Sequence, residues 1–185
     1  MLTDDGSALA TALAEALQGQ GWTPVILRFA GISAFGNSKR KAFSKETSVI
    51  ELSSSAETEL QSSLKSFSEK HGSFGGFIHL HPAAKSSSET KLEDGTNAFL
   101  KQAFLSAKNI YPALRESAQS RNRRSHFLAV ARLDGELGMG SGAFNAPSSG
   151  LSGLIKTAGV EWPDVFCRFL DLQPELKAET AANCI

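Results

Sequence analysis

Short apolar runs alternate with helical periodicity along this chain, and this alternation constrains the fold more than any other feature of the sequence. Between the runs, apolar residues recur at helical spacing, as at Leu60, Leu64 and Phe67. Near-continuous apolar strands separated by helices are typical of a mostly parallel sheet that is covered on both faces. The predicted strands lie at 22–29, 48–52, 74–81, 126–134 and 165–172.

The first strand of this sheet is predicted to be truncated. The chain reaches a turn signal, Asp4 to Gly6, after only three residues, whereas a strand usually has about five or six residues. Ser7 is placed to cap a helix that has Leu9 and Leu13 on its apolar face. We therefore predict a truncated Rossmann-like, doubly wound α/β fold, in one domain over 1–185, and expect the chain to be a piece of a longer polypeptide.

Composition limits the classes of partner. Lysine plus arginine and aspartate plus glutamate both total 19, so the net charge is zero and no nucleic-acid partner is expected. The basic runs at 39–41 and 121–124 are interpreted as solvated surface. We also expect no membrane span and no signal peptide. Cys167 and Cys184 form no CxxC motif, Cys167 is predicted to be a small core residue, and a reducing, cytoplasmic setting is expected.

The first predicted turn does not fit a dinucleotide. A Rossmann turn that binds NAD(P) needs several glycines close to the pyrophosphate, but this turn has only Gly6. Asp4 and Asp5 would repel phosphate, and we interpret them as favourable charges at a helix N-terminus. An acidic pair is also typical of receiver domains, but the strand at 48–52 is followed by serines and not by the expected aspartate.

The predicted helix at 150–162 lacks the general acid of a short-chain reductase. In those enzymes a tyrosine lies four residues before a lysine, and here the corresponding residues are Ser152 and Lys156. A serine hydroxyl is too weak an acid for that role. We interpret Ser152 as a packing position and Lys156 as a solvated residue. The single tyrosine, Tyr111, lies on another helix and is predicted to be an amphipathic surface residue.

A histidine pair raises the question of a metal. His79 and His81 alternate on a predicted strand, so their side chains share one face and could hold an ion. No third ligand is evident, because His71 and His126 are remote in sequence. We assign no catalytic, cofactor-binding or metal-ligating residue in this chain.

Three phenylalanines in the predicted loops and one tryptophan bear on packing. Phe35, Phe43 and Phe144 are candidates for contact with a partner, and local loop packing is an equal alternative. Trp162 is predicted to pack against the sheet, where Pro163 ends its helix.

The residues at 150–172, "GLSGLIKTAGVEWPDVFCRFLDL", resemble a segment of type I polyketide and polyunsaturated fatty acid synthases that reads roughly W-G-L-x-R-x-x-x-x-E-H-P-E and ends in V-D-L. Ser152 replaces the tryptophan of that pattern, and Trp162 replaces the histidine. "TDDG", "GGFIHLHP" and "FLAVARLDGELG" resemble further parts of the same domain. The matching positions in the first segment are Leu151, Gly153, Leu154, Glu161, Pro163, Asp171 and Leu172.

The resemblance implies the structural, non-catalytic half of a ketoreductase domain. In that family a truncated half without cofactor precedes a catalytic half that carries the glycine-rich turn, the tyrosine and NADPH. The implied partners are the catalytic half and an acyl carrier protein, and the implied reaction is the reduction of β-ketoacyl groups. After residue 185 we expect a strand, a glycine-rich turn and a tyrosine-bearing helix.

Two other functions stay open on the sequence. The chain could be a stand-alone, divergent short-chain dehydrogenase or reductase, or a small ligand-binding or scaffold domain outside any synthase.

Overall fold

A computed structural model describes residues 1–30, 42–82, 92–140 and 146–185, with backbone alone at 92–97 and 146–147. The described residues form a six-stranded parallel sheet in the order β3-β2-β1-β4-β5-β6. Its strands are β1 (Leu2–Thr3), β2 (Val25–Arg28), β3 (Ser48–Glu51), β4 (Gly76–Leu80), β5 (Ser125–Ala131) and β6 (Val165–Asp171). The helices are α1 (Ala8–Gly19), α2 (Glu57–His71), α3 (Leu92–Arg121), α4 (Gly150–Glu161) and α5 (Ala178–Cys184), with a 3₁₀ turn at Ala146–Ser149.

This architecture confirms the predicted Rossmann-like, doubly wound α/β fold. The strand order reverses between β1 and β4, which makes that gap the topological switch point where such sheets bind ligands. β1 is only two residues long, and Leu2 lies in register with both Ile26 and Ile78.

Each face of the sheet is covered by helices that use the predicted apolar positions. Leu9 and Leu13 of α1 pack with Ala181 of α5 on one face. Leu60 and Leu64 of α2 pack with α3 and α4 on the other face. Ser7 caps α1 as predicted, because its Oγ accepts a hydrogen bond of 3.0 Å from the N–H of Leu9.

One predicted boundary is wrong. β2 begins at Val25, not at Trp22, because the N–H of Trp22 donates to the carbonyl of Leu17 and continues the turn after α1. Trp22 is therefore 49% exposed and is not part of a buried strand.

The centre of the larger core is an aromatic stack. Phe127 of β5 is fully buried, with ring centroids 5.5 Å from Phe77 and 5.6 Å from Trp162. This contact confirms that Trp162 packs against the sheet.

Phe127→Ala is expected to lower the free energy of unfolding by about 3–5 kcal/mol, because it leaves a cavity among these rings. Chemical denaturation measures the change. Phe104→Ala is the matched control, since Phe104 is 53% exposed on α3, and it should cost less than about 1 kcal/mol. Equal losses in the two variants would contradict this description of the core.

Candidate functional site

The turn that follows β1 lies at the switch point. Its backbone N–H groups donate hydrogen bonds to carboxylates of the same chain. The N–H of Gly6 donates to Asp4 Oδ1 over 2.9 Å, and the N–H of Ser7 donates to Asp5 Oδ1 over 3.0 Å. Ser7 Oγ also donates to Asp5 Oδ2, over 2.6 Å. In a dinucleotide-binding turn, such N–H groups face the pyrophosphate. Here the side-chain carboxylates of Asp4 and Asp5 accept these hydrogen bonds instead.

Asp4 is held by a cation from the next strand. Arg28 Nε, at the end of β2, lies 2.9 Å from Asp4 Oδ2, and the Asp4 side chain is fully buried. Arg28 Nη1 also reaches Glu51 Oε1 at the end of β3, over 3.5 Å. Breaking a buried pair of this kind leaves an uncompensated charge, so Arg28 fixes Asp4 in the turn.

Asp5 is buried as well, and burial disfavours its negative charge. Burial raises the pKa of Asp5, an effect that the two hydrogen bonds from Ser7 partly offset. A phosphate placed beside two buried carboxylates would meet repulsion on the order of a few kcal/mol.

A carboxylate also accepts backbone hydrogen bonds from the residues that follow β3. Glu59, in the first turn of α2, accepts hydrogen bonds from the backbone N–H groups and hydroxyls of both Ser53 and Ser54. These bonds, that from the Ser54 hydroxyl first, lower the pKa of Glu59 to about 2. The serines that replace the aspartate of a receiver domain therefore bind a carboxylate of their own chain.

Carboxylates also organise the glycine-rich loop after β5. Asp171, the last residue of β6, accepts backbone N–H groups of Leu133, Gly135 and Leu137. Asp134 accepts three more N–H groups, from residues 136, 138 and 140. These bonds, that from Gly138 above all, lower the pKa of Asp134. Sequence reasoning missed Asp171 because its partners lie more than 30 residues away.

The histidine pair is buried beside the switch point, at the end of β4. Thr3 Oγ1 lies 3.5 Å from His79 Nδ1, and Ser148 Oγ lies 3.0 Å from His81 Nε2. His79 Nε2 and His81 Nδ1 have no hydrogen-bond partner among the described residues. The rings are 5.9 Å apart, centroid to centroid. Within the described ranges, no group of three or more histidine, cysteine, aspartate or glutamate side chains is arranged to hold a metal.

Further buried polar atoms lie on α3. Gln102 Oε1 and Ser106 Oγ lack a partner within the described part of the chain. Helical spacing puts these two residues and Phe99, which contacts the His81 ring edge-on, on one side of α3. This side of α3 thus carries two buried polar side chains beside the phenylalanine that contacts His81.

α4 carries Ser152 and Lys156 on its outer surface. Both side chains are exposed, and Ser152 Oγ donates to the carbonyl of Ser149 over 2.7 Å. The prediction that Lys156 is solvated is confirmed. The prediction that Ser152 packs is wrong, because Leu151 and Ile155 form the buried face of this helix.

The remaining candidates have structural surroundings. Tyr111 is half-buried and stacks on Trp162, with centroids 4.4 Å apart. Burial raises the pKa of the half-buried Cys167 thiol to about 11. Phe43 is half-buried, with the Arg28 guanidinium 5.8 Å from its ring, which favours local packing. Phe35, Phe144 and the basic run 39–41 lie outside the described residues.

The buried histidines make stability sensitive to acid. Burial lowers the pKa of His79 to about 3 and that of His81 to about 4, from 6.5. Below about pH 6.5 the two histidines are protonated in the unfolded chain but stay neutral in the folded chain. The free energy of unfolding therefore falls as the pH falls.

We expect these two histidines to contribute a loss approaching roughly 2–3 kcal/mol per pH unit as the pH falls toward 5, at about 1.4 kcal/mol each. The buried amino group of Met1, whose pKa burial lowers to about 5, adds to the slope in the same direction. Urea denaturation between pH 7 and 5 measures it. His79→Gln should reduce the slope by up to about 1.4 kcal/mol per pH unit, whereas His126→Gln, at an exposed position, should reduce it far less. A slope that His79→Gln does not alter would contradict the burial of a neutral imidazole.

Comparison with known proteins gives two kinds of similarity. No protein-family model matches the chain. A curated protein of Thraustochytrium sp., a subunit of a polyunsaturated fatty acid synthase, is 30% identical over 192 residues, which cover 100% of this chain and 6% of that protein. The chain thus spans a small part of the length of this relative.

Solved structures share the fold at low identity. A 3-ketoacyl-(acyl-carrier-protein) reductase of Brucella melitensis, complexed with NADH, superposes with a TM-score of 0.69 at 14% identity, over 94% of this chain and 73% of that one. An NADH-dependent reductase complexed with NAD gives a TM-score of 0.63 at 15% identity, over 94% and 76%. Aldohexose dehydrogenase of Thermoplasma acidophilum gives 0.60 at 13% identity, over 91% and 63%.

Within the described ranges, no helix has the length and apolar character needed to cross a membrane. The chain therefore has the fold of short-chain reductases. Over its whole length it also has weak sequence similarity to a segment of a polyunsaturated fatty acid synthase subunit.

Proposed function

We propose that this chain is the non-catalytic structural half of a β-ketoacyl reductase domain in a polyketide or polyunsaturated fatty acid synthase. Residues 1–185 act as one Rossmann-like domain that stabilises an adjoining catalytic half. That half binds NADPH and reduces β-ketoacyl groups carried on an acyl carrier protein. The parent enzyme is cytoplasmic.

The observation that carries this proposal is the internal occupation of the first turn. Gly6 and Ser7 present their N–H groups to Asp4 and Asp5, and Arg28 holds Asp4 in place. A turn that bound NADPH would have to expel these carboxylates and break the buried contact between Asp4 and Arg28. This cost supports a chain that keeps the fold of a reductase without its cofactor.

The outer surface of α4 supports the same function. Lys156 is exposed, and the residue four positions before it is a serine that bonds to its own helix turn. Proton donation to a ketone needs a group with a suitable pKa held close to the substrate. The relative's name, which is that of a polyunsaturated fatty acid synthase, is the basis for placing the chain in a multidomain synthase.

A domain that stabilises a neighbouring domain must itself be well packed. The described core joins all six strands to helices on both faces, and the aromatic stack of Phe77, Phe127 and Trp162 lies within it. Such a body can order a neighbouring domain by presenting a preformed surface, so that the neighbour alone loses conformational entropy on docking.

Reconstitution tests the proposal. The catalytic half of the same synthase is expressed with and without residues 1–185, and acetoacetyl-CoA reduction is followed by NADPH absorbance. We expect the chain alone to be inactive and the catalytic half to gain at least about tenfold in rate, with a higher melting temperature, when the chain is present.

Lys156→Ala is the control variant. The rate of the reconstituted enzyme should stay within about twofold of wild type, because this lysine is on the solvent side of α4. Reduction by the chain alone, abolished by Lys156→Ala, would instead establish a stand-alone reductase. A catalytic half that is equally fast and stable without the chain would refute the stabilising role.

A further inference from the structure

A cleft of about 620 Å³ opens at the amino-terminal edge of the sheet, opposite the switch point. Its lining includes the first residues of neighbouring strands, Val25, Ser48 and Gly76. The volume is within the range of small-molecule sites, about 300–1,000 Å³. The carboxyl-edge contacts described above take no part in it.

One wall of this cleft is aromatic. Phe67 stacks on His71 with centroids 4.3 Å apart and on Phe74 with centroids 5.5 Å apart. Trp22 forms another part of the lining and is 49% exposed, a large ring left without an aromatic partner among the described residues. Exposed aromatic surface inside a concavity is typical of a binding site for an apolar group.

The ionisable side chains that line the cleft are all basic. Arg121, the last residue of α3, lines it together with His71 and His126, and none of its lining residues has an acidic side chain. Arg121 is exposed and forms no ion pair with any described residue. A guanidinium presents its donors in a planar fork that matches carboxylate, sulfonate and phosphate oxygens.

Gly75 lies between the cation and the indole. A side-chain carbon at this position would lie 3.3 Å from Arg121 Nη1 and 3.7 Å from the Trp22 ring. The positive charge and the aromatic ring therefore lie within a few ångströms of each other on either side of this backbone position. A ligand in the cleft that contacted the ring with an apolar body would have its anionic end within reach of the guanidinium.

We propose that this amino-edge cleft binds a small molecule with an apolar body and a single anionic group, with Trp22 and the Phe67 wall contacting the body and Arg121 pairing with the anion. The site goes beyond the proposed structural role.

The test uses 8-anilinonaphthalene-1-sulfonate, an aromatic anion whose fluorescence rises on binding, titrated into the untagged chain because Met1 and Ile185 also line the cleft. We expect saturable binding of one molecule per chain by fluorescence and calorimetry. N-phenyl-1-naphthylamine has the same rings without the sulfonate, and its affinity should be at least about tenfold lower.

Two substitutions locate the site. Arg121→Gln should weaken binding of the sulfonate at least about tenfold without changing that of the neutral amine. Gly75→Leu should weaken both, because its side chain would project between Arg121 and Trp22, and its melting temperature shows whether the fold is kept. Arg123→Gln, an exposed arginine outside the cleft, should change neither. Equal affinity for the charged and neutral probes, or binding that Arg121→Gln leaves intact, would overturn the proposal.

Discussion

At the carboxyl edge of this sheet, side-chain carboxylates accept hydrogen bonds from backbone N–H groups and fix the loops that carry them. Asp4 and Asp5 do so after β1, Glu59 after β3, and Asp134 with Asp171 after β5. In a ligand-binding Rossmann sheet, the loops at this edge keep such donors for phosphate or substrate. Here carboxylates of the same chain accept hydrogen bonds from the N–H groups named above.

Internal anions also bear on the stability of this edge of the sheet. An empty phosphate site leaves N–H groups that need water or an anion, and buried groups of this kind cost free energy when unpaired. The pair between Asp4 and Arg28 fixes one such anion and connects the ends of β1 and β2. The aromatic stack around Phe127 supplies apolar burial below them. A chain of this kind suits a supporting role beside an active site.

Most of the fold is predictable from the sequence because strands, helix faces and helix caps each depend on residues that are close together in the chain. The apolar runs and the spacing of Leu9, Leu13, Leu60 and Leu64 identify strands and helix faces, and Ser7 identifies a cap. α5 was missed, since seven residues with two buried alanines give little periodicity and its buried alanines pack against α1. The exposure of Trp22 was missed because a helix-end hydrogen bond, not hydropathy, decides where β2 begins.

The candidate site was predictable in its chemistry and not in its geometry. Two carboxylates in a turn with one glycine predict a poor phosphate site from the sequence alone. The contacts that fix them cannot be read locally, since Arg28 is 24 residues from Asp4 and Asp171 is 38 residues from Leu133. Ser152 shows the opposite limit, because helical spacing alone did not reveal that its face of α4 is solvent-exposed.

The most direct test of this account is a calorimetric titration of NADPH into residues 1–185. Because Asp4 and Asp5 occupy the N–H groups that would contact the pyrophosphate, we expect no saturable heat up to about 1 mM NADPH. Binding with a micromolar Kd would contradict the claim that the chain's own carboxylates close the dinucleotide site.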